Sequence, residues 1–199
     1  MKLLRKRVLI PAALFLVTGT LFLVLVLRGT LASSETPRPS TSSEGALAQL
    51  WLTPEGRKVV RCAIVIDRPL DRVWGVVTGY AKFPEIFPTI RKAQSSVEAD
   101  GRHRLRADVS ASLLGTWPID VLIRHEEKGD VRVASWDQPT GDVLKNAGSW
   151  TLTKVDDQRT LVEYLLDVEI SGYPDWFVRA ILRGRQRGIL RALDEGARR

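Results

Sequence analysis

The sequence contains a single cysteine, Cys62, which excludes an internal disulfide and any zinc cluster built on cysteines. Cys62 lies in a strand-like apolar pattern, which predicts a buried structural thiol rather than a nucleophile. The chain also lacks a glycine-rich phosphate loop, a nucleophile elbow and an HExxH motif. No recognisable motif therefore supports phosphoryl transfer, serine hydrolysis or zinc-dependent hydrolysis, and no motif requires a cofactor or a metal.

Acidic residues are missing from residues 1–28, where five of the 30 basic residues lie. The rest of the chain carries 25 basic and 23 acidic residues, so the net charge of +7 belongs mainly to this end and to an arginine-rich segment after Asp175. Nucleic-acid binding needs a basic face on the folded body. The charge distribution therefore predicts no nucleic-acid partner.

Charge of either sign is absent from the 20 residues between Val8 and Leu27. A helix of about 20 apolar residues crosses a hydrocarbon core of roughly 30 Å. Basic residues precede this segment, so the positive-inside rule predicts a single-pass signal anchor in residues 1–28, with a cytoplasmic N-terminus and an extracytoplasmic domain. The alternative is a signal peptide cleaved near Ala32, which would release a secreted protein.

Residues 29–43 are rich in Ser, Thr and Pro and have few apolar side chains, which predicts a flexible linker. The folded domain is expected at residues 44–199. Its first apolar residues, between Ala46 and Trp51, predict a short helix or turn that leads into the domain.

Two short helices are predicted between Pro69 and Pro88. Leu70, Val73, Trp74 and Val77 follow helical spacing and form one apolar stripe. Gly79 is predicted to end the first helix with a positive φ. The prolines at positions 84 and 88 prevent one continuous helix. Helices this short are marginal alone, so the pair must cover another apolar surface.

Alternating apolar residues predict a strand before this pair and about six antiparallel strands after it. The clearest hairpin joins Arg102–Ser112 to the strand after Gly115. A three-residue loop with Gly115 in the left-handed region predicts that paired residue numbers sum to 228. Ala111 would then face Trp117, and His103 would face His125. The other predicted pairs are Val109 with Ile119, Ala107 with Val121, and Leu105 with Ile123.

A long amphipathic helix is predicted from Pro174 to Gly196. The order of elements indicates an α+β fold with a curved antiparallel sheet of about seven strands. The long C-terminal helix covers the apolar face of the sheet. One transmembrane helix precedes this domain.

This sequence resembles the START-like, helix-grip superfamily, and in particular its polyketide cyclase/dehydrase and coenzyme-Q-binding branch. The resemblance rests on residues that occur in the family's order and spacing over about residues 45–199. They are Ile66-Asp67-Arg68-Pro69, Val73-Trp74, Tyr80, Phe83-Pro84, Phe87-Pro88, Gly148-Ser149-Trp150, Thr160, Tyr164 and Pro174-Asp175-Trp176. It implies a hydrophobic small molecule, such as a lipid, quinone or isoprenoid, held between sheet and last helix. It also implies an alternative, a polyketide or aromatic cyclase or dehydratase that uses the same cavity. A further alternative is an interaction module with a filled core.

The composition is consistent with a ligand cavity, because six Trp and five Phe are enough to line one. Small residues such as Gly184 and Gly188 on the last helix could leave space beneath it. The residues predicted to line it share the inner phase of their strands and helices. They are Val77, Phe83, Phe87, Leu105, Val109, Trp117, Val121, Trp150, Tyr164, Phe177 and Ile181. Phe83 and Phe87 are expected at its opening.

His103 and His125 are the weak candidates for catalysis, since they share the inner phase and could shuttle protons. No third metal ligand stands at suitable spacing, so no metal site is predicted. The carboxylates of Asp108, Asp120 and Glu126 fall on the outer face, where solvated charges belong. An enzyme is therefore the less favoured interpretation.

Four arginines, each four residues apart, form a stripe on the last helix. They are Arg179, Arg183, Arg187 and Arg191. The stripe is either a solvated face or a contact for anionic lipid headgroups at a membrane surface.

Overall fold

The computed structural model describes residues 49–52, 58–110, 115–138 and 143–199. These residues form one antiparallel sheet of eight strands. The strands are β1 Gln49–Leu52, β2 Lys58–Ile66, β3 Ile90–Val97, β4 His103–Ser110, β5 Thr116–Lys128, β6 Val131–Asp137, β7 Val143–Asp156 and β8 Arg159–Ile170. Their order across the sheet is β1-β2-β8-β7-β6-β5-β4-β3, so β8 returns to pair with β2.

The helices fall where the sequence predicts them. Helix α1 is Leu70–Thr78, a 3₁₀ turn spans Tyr80–Lys82, and α2 is Phe83–Ile86. Helix α3, Asp175–Arg198, closes the chain. The predicted α+β class, with an antiparallel sheet and a long C-terminal helix, is confirmed.

Helix α1 buries the predicted stripe of Leu70, Val73, Trp74 and Val77. Its end differs from the prediction, because Gly79 has a φ of −78°. Glycine is required here by close approach instead, since a Cβ atom would lie 2.9 Å from the Gly75 carbonyl oxygen.

Within the segment between Ala46 and Trp51, which was predicted as a short helix or turn, residues 49–51 belong to β1, so the prediction was wrong for these residues. Residues 46–48 lie outside the described residues. Backbone pairing explains the difference, because Leu50 pairs with Val60 at the edge of the sheet. The predicted membrane segment at residues 8–27, the cleavage site near Ala32 and the linker at residues 29–43 lie outside the described residues. Within the described ranges, every helix is too short or too polar to span a membrane.

The predicted register of the β4–β5 hairpin was wrong by two residues. Val109 pairs with Trp117, Leu105 with Val121 and His103 with Ile123, so paired numbers sum to 226. The strands end at Ser110 and begin at Thr116, so five residues connect them rather than three. A shift by two keeps every side chain on its predicted face. Gly115 has the predicted positive φ, at 84°.

The tightest packing lies where the last part of α3 meets β2 and α1. Leu190 and Leu193 are 0% exposed there, as are Val60, Val73 and Val77. Farther toward β4 and β5, the side chains under the helix are only partly buried, among them Ile119, Leu182 and Ile189. Helix α3 therefore covers the sheet closely near β2 and loosely near β4 and β5.

Candidate functional site

A cavity lies between the sheet and α3, on the loosely covered side. Its volume is about 190 Å³. Its wall is mostly apolar and draws on every strand from β3 to β8, on the α1–β3 segment and on α3. The lining residues are Tyr80, Phe83, Phe87, Thr89, Ile90, Leu105, Val109, Ser110, Trp117, Ile119, Val121, Ile123, Ala134, Trp136, Asn146, Trp150, Tyr164, Leu166, Val168, Ile170, Leu182, Arg185, Gln186 and Ile189.

A row of contacting aromatic rings forms much of this wall. Phe83 meets Phe87 edge to face with ring centroids 5.0 Å apart, and Phe87 stacks on Trp150 at 6.4 Å. Trp150 and Tyr164 are directly paired across β7 and β8, with centroids 4.1 Å apart. Tyr164 then stacks on Trp136 at 5.9 Å. The rings hold one another in place, so the wall is preformed.

Gly148 makes room for the last ring of this row. It pairs directly with Trp136 across β6 and β7. A Cβ atom at position 148 would collide with the Trp136 indole and with the Leu165 carbonyl oxygen. The absence of a side chain thus lets the indole lie across β7, where its Nε1 donates to Asn146 Oδ1 at 3.2 Å. The Gly148-Ser149-Trp150 motif therefore has a direct structural reason.

Eight of the predicted lining residues border the cavity: Phe83, Phe87, Leu105, Val109, Trp117, Val121, Trp150 and Tyr164. Three predicted residues do not. Val77 is 0% exposed in the closely packed core, and Phe177 and Ile181 pack against Ile170 and Val178 beside the cavity.

Phe83 and Phe87 are 6% and 4% exposed, so they lie in the wall and not at an open mouth as predicted. Gly184 and Gly188 are exposed on the outer side of α3, so they do not create the cavity. The open volume lies instead beside the aromatic row, above strands whose facing residues include Ala134.

Sequence reasoning missed the polar part of the wall. Thr89, Ser110 and Arg185 border the cavity together, and Arg185 Nη1 donates to the Ser110 carbonyl oxygen at 2.6 Å. Gln186 also borders it and is 1% exposed. Its helical spacing of four from Leu182 and from Leu190 is the signal that could have found it, but its arginine neighbours gave it the pattern of a solvated face.

Gln186 is hydrogen-bonded to Cys62, the only cysteine in the sequence. Cys62 Sγ donates to Gln186 Oε1 at 3.2 Å. Burial raises the pKa of the Cys62 thiol to about 12, so the thiol stays protonated and can act as this donor. The prediction of a buried structural thiol is confirmed, since Cys62 is 0% exposed.

His103 and His125 are neighbours as predicted, although the corrected register makes them diagonal. Their rings stack with centroids 4.4 Å apart. The Tyr80 hydroxyl lies 2.5 Å from His125 Nε2, and Tyr80 borders the cavity. Among the described residues, no third His, Cys, Asp or Glu joins them in a group that could hold a metal.

The protonation states of Tyr80 and His125 follow from their surroundings. Burial, and then the neighbouring His103, lower the pKa of His125. Burial raises the pKa of the Tyr80 hydroxyl above its usual range. Both groups are neutral near pH 7, so the Tyr80 hydroxyl donates to His125 Nε2 and its oxygen can still accept from a ligand.

The predicted outward carboxylates lie on the far face of the sheet. Asp120 accepts from Arg104 at 2.7 Å, and this ion pair lowers the pKa of Asp120. These carboxylates are thus separated from the cavity by the sheet itself.

The four arginines of the predicted stripe on α3 are not equally exposed. Arg187 and Arg191 are exposed, whereas Arg179 and Arg183 are half-buried. Arg179 pairs with Asp175 at 3.1 Å. The stripe is therefore not uniformly exposed, and its contact with lipid headgroups stays a prediction. Arg187 and Arg191 present the larger share of the stripe to the outside.

The helix-covered sheet and its apolar cavity define a START-like domain. Residues 66–194 match the family described as polyketide cyclase / dehydrase and lipid transport. The match covers more than half of the chain, which therefore belongs to this family. A search of curated protein sequences finds no match.

Several solved structures share the fold. The STAR-related lipid transfer protein from Xanthomonas axonopodis is 18% identical with a TM-score of 0.66, over 83% of this chain and 100% of that one. Human StAR-related lipid transfer protein 5 is 12% identical with a TM-score of 0.69, over 94% and 96%. The Zhui aromatase/cyclase from Streptomyces sp. R1128 is 22% identical with a TM-score of 0.55, over 71% and 94%.

Proposed function

We propose that this domain binds, and carries between membranes, a hydrophobic small molecule such as a lipid, quinone or isoprenoid. The observation that carries the proposal is the apolar cavity of about 190 Å³ under α3. Protein interiors are packed like organic crystals and rarely leave such a volume unfilled. The cavity weighs against an interaction module with a filled core. The family description, which includes lipid transport, supports the same function.

Mass spectrometry of an organic extract from the purified full chain tests this proposal. We expect one class of apolar compound to be enriched over a mock purification, at about one molecule per chain because a single cavity is filled. Extracts that match the mock purification, together with failure to bind added lipids, would contradict it.

Membrane anchoring through residues 8–27 is the second part of the proposal. The supporting observation is the charge-free run of 20 residues behind a basic N-terminus, which orients the domain to the extracytoplasmic side. Cleavage near Ala32 would instead give a secreted domain. Fractionation of cells, followed by protease digestion of spheroplasts, separates the anchored and secreted forms.

The arginine stripe of α3 is proposed to contact anionic headgroups, mainly through the exposed Arg187 and Arg191. Tyr173 and Trp176, at the start of the helix, are 36% and 50% exposed, and such amphipathic rings favour membrane interfaces. Each basic residue near an anionic surface contributes about 1 kcal/mol. Substitution of Arg187 by Glu should reduce the fraction of protein that co-sediments with phosphatidylserine vesicles. The fraction that co-sediments with phosphatidylcholine vesicles should not change. The half-buried Arg183 should contribute less in the same assay.

A cyclase or dehydratase is the second candidate function. The specific observation is that Tyr80 borders the cavity while it donates to His125. The Tyr80 oxygen would take a proton from the carbon beside a carbonyl group of the bound substrate as the Tyr80 hydroxyl proton passes to His125, with His103 stacked behind it. Return of that proton from His125 through Tyr80 to the carbonyl oxygen would then give the enol and restore both side chains. Acid–base groups must lie within hydrogen-bond reach of the reacting atom, and Tyr80 meets that requirement for a molecule in the cavity.

Turnover of a linear poly-β-ketone separates the two functions. An enzyme should lose turnover on substitution of Tyr80 by Phe, which removes only the hydroxyl and preserves ring packing. A binding domain should retain its ligand in the same variant and should show no turnover in the wild type.

A further inference from the structure

Gln186 has an unsatisfied donor within the wall of the cavity. The side chain is 1% exposed, and its Nε2 has no hydrogen-bond partner among the described residues. Most buried side-chain amides find a partner, because an unpaired N–H has lost its hydrogen bonds to water. An exception in the wall of a binding cavity suggests that the missing partner belongs to the ligand.

The orientation of the amide follows from Cys62. The thiol is a donor, and the amide oxygen is the atom that can accept from it, at 3.2 Å. The reversed amide would direct an N–H group at the sulfur, which is only a weak acceptor, and would leave the stronger acceptor, the amide oxygen, without this partner. The Cys62 contact therefore occupies the oxygen and leaves the NH₂ group as the donor that needs a partner.

The position of Gln186 on α3 brings this donor into reach of a bound molecule. Leu182 precedes it by one turn and Ile189 follows it by nearly one turn, and both border the cavity. A molecule that lies along the helix must pass Gln186. Leu166 and Tyr164 of β8 also border the cavity, and Tyr164 pairs with Cys62 across β2 and β8.

We propose that Gln186 is a specificity residue that donates from Nε2 to a carbonyl, ester or hydroxyl oxygen of the ligand. The cavity would then select oxygen-bearing hydrophobic molecules over hydrocarbons of the same shape. A site with a buried polar group discriminates against an analogue that leaves this group unpaired. This inference rests on the proposed binding function and names the class of ligand.

The test compares two probes, 9-fluorenone and fluorene, which differ only in a carbonyl group in place of a methylene group. Their dissociation constants are measured by equilibrium dialysis against the full chain in one medium, so that differences in partitioning cancel between variants. We expect wild type to prefer the ketone over the hydrocarbon roughly tenfold more than Gln186→Met does. Fluorene should bind both proteins equally, because its contacts are apolar.

Leu190→Met is the matched control, since it introduces the same side chain at a buried position of α3 that does not border the cavity and keeps the donor. It should retain the preference for the ketone. An equal preference in wild type and Gln186→Met would overturn the inference while leaving hydrophobic binding intact. If Gln186→Met does not fold, the comparison between wild type and Gln186→Leu decides in its place. Failure of both probes to bind wild type would instead remove the proposed function, and the inference with it.

Discussion

The apolar face of α3 covers the sheet in different ways near the C-terminus of the helix and near its middle. Toward the C-terminus, Leu190 and Leu193 are 0% exposed against the aliphatic side chains of β2 and α1. Near the middle, Leu182 and Ile189 remain partly buried and border the cavity. Branched aliphatic side chains interdigitate, whereas the stacked rings of Trp150 and Tyr164 lie along the wall and leave volume under the helix. One helix thus covers both a closely packed core and the cavity.

Leucine-to-alanine substitutions in these two regions of α3 should give the largest difference in stability. Leu193→Ala leaves a cavity in a closely packed core and should lower the free energy of unfolding by roughly 2–5 kcal/mol. Leu182→Ala enlarges an existing cavity, so its cost should be about 1 kcal/mol. Urea denaturation of both variants measures the difference. Equal losses of unfolding free energy would show that these two regions of α3 are packed alike.

Glycine-to-alanine substitutions sharpen the contrast between the aromatic wall and the solvent side of α3. Gly148→Ala forces a Cβ atom against Trp136 and should destabilise the domain by roughly 1–3 kcal/mol. Gly184→Ala meets nothing within 4 Å and should stabilise α3 by about 0.5–1 kcal/mol. Thermal unfolding, read with tryptophan fluorescence, measures both effects. Opposite signs are expected, and equal signs would contradict the assigned role of Gly148.

The histidine pair should produce a smaller effect that depends on pH. The folded state lowers the pKa of His125 below its value of 6.5 in the unfolded chain, so the unfolded chain binds more protons as the pH falls through that range. Stability should therefore decrease from roughly pH 7.5 to pH 5.5, and should be recovered on return to neutral pH. Replacement of His125 by Gln should flatten this slope. A slope that is unchanged by the replacement would assign the dependence to other groups.

Sequence patterns predicted the elements whose period is regular. The alternation of β4 and β5 predicted which side chains face inward, and four of the eight correctly predicted lining residues followed from that phase: Leu105, Val109, Trp117 and Val121. The predicted register of the hairpin was wrong because the residue types between Ser110 and Gly115 do not determine how many residues form the loop. A two-residue shift also preserves the alternation, so the pattern could not reveal it.

The polar residues of the site were harder to predict for a different reason. Gln186 stands between Arg185 and Arg187, so its local composition indicates a solvated face. Its burial results from the tertiary position of α3 over Cys62, a residue 124 positions away in the chain. Gly184 and Gly188 misled in the opposite direction, because small size alone does not tell which side of a helix meets the sheet.

The most direct test of the central claim is to fill the cavity and count the ligand. Val109→Phe adds a large side chain to the cavity wall, whereas Val97→Phe makes the same change at a position that is 67% exposed. Quantitative mass spectrometry of organic extracts from the full chain gives the ratio of apolar ligand to protein in each variant. We expect Val97→Phe to keep the wild-type ratio and Val109→Phe to lose most of it. Equal ratios in the two variants would contradict a ligand held under α3.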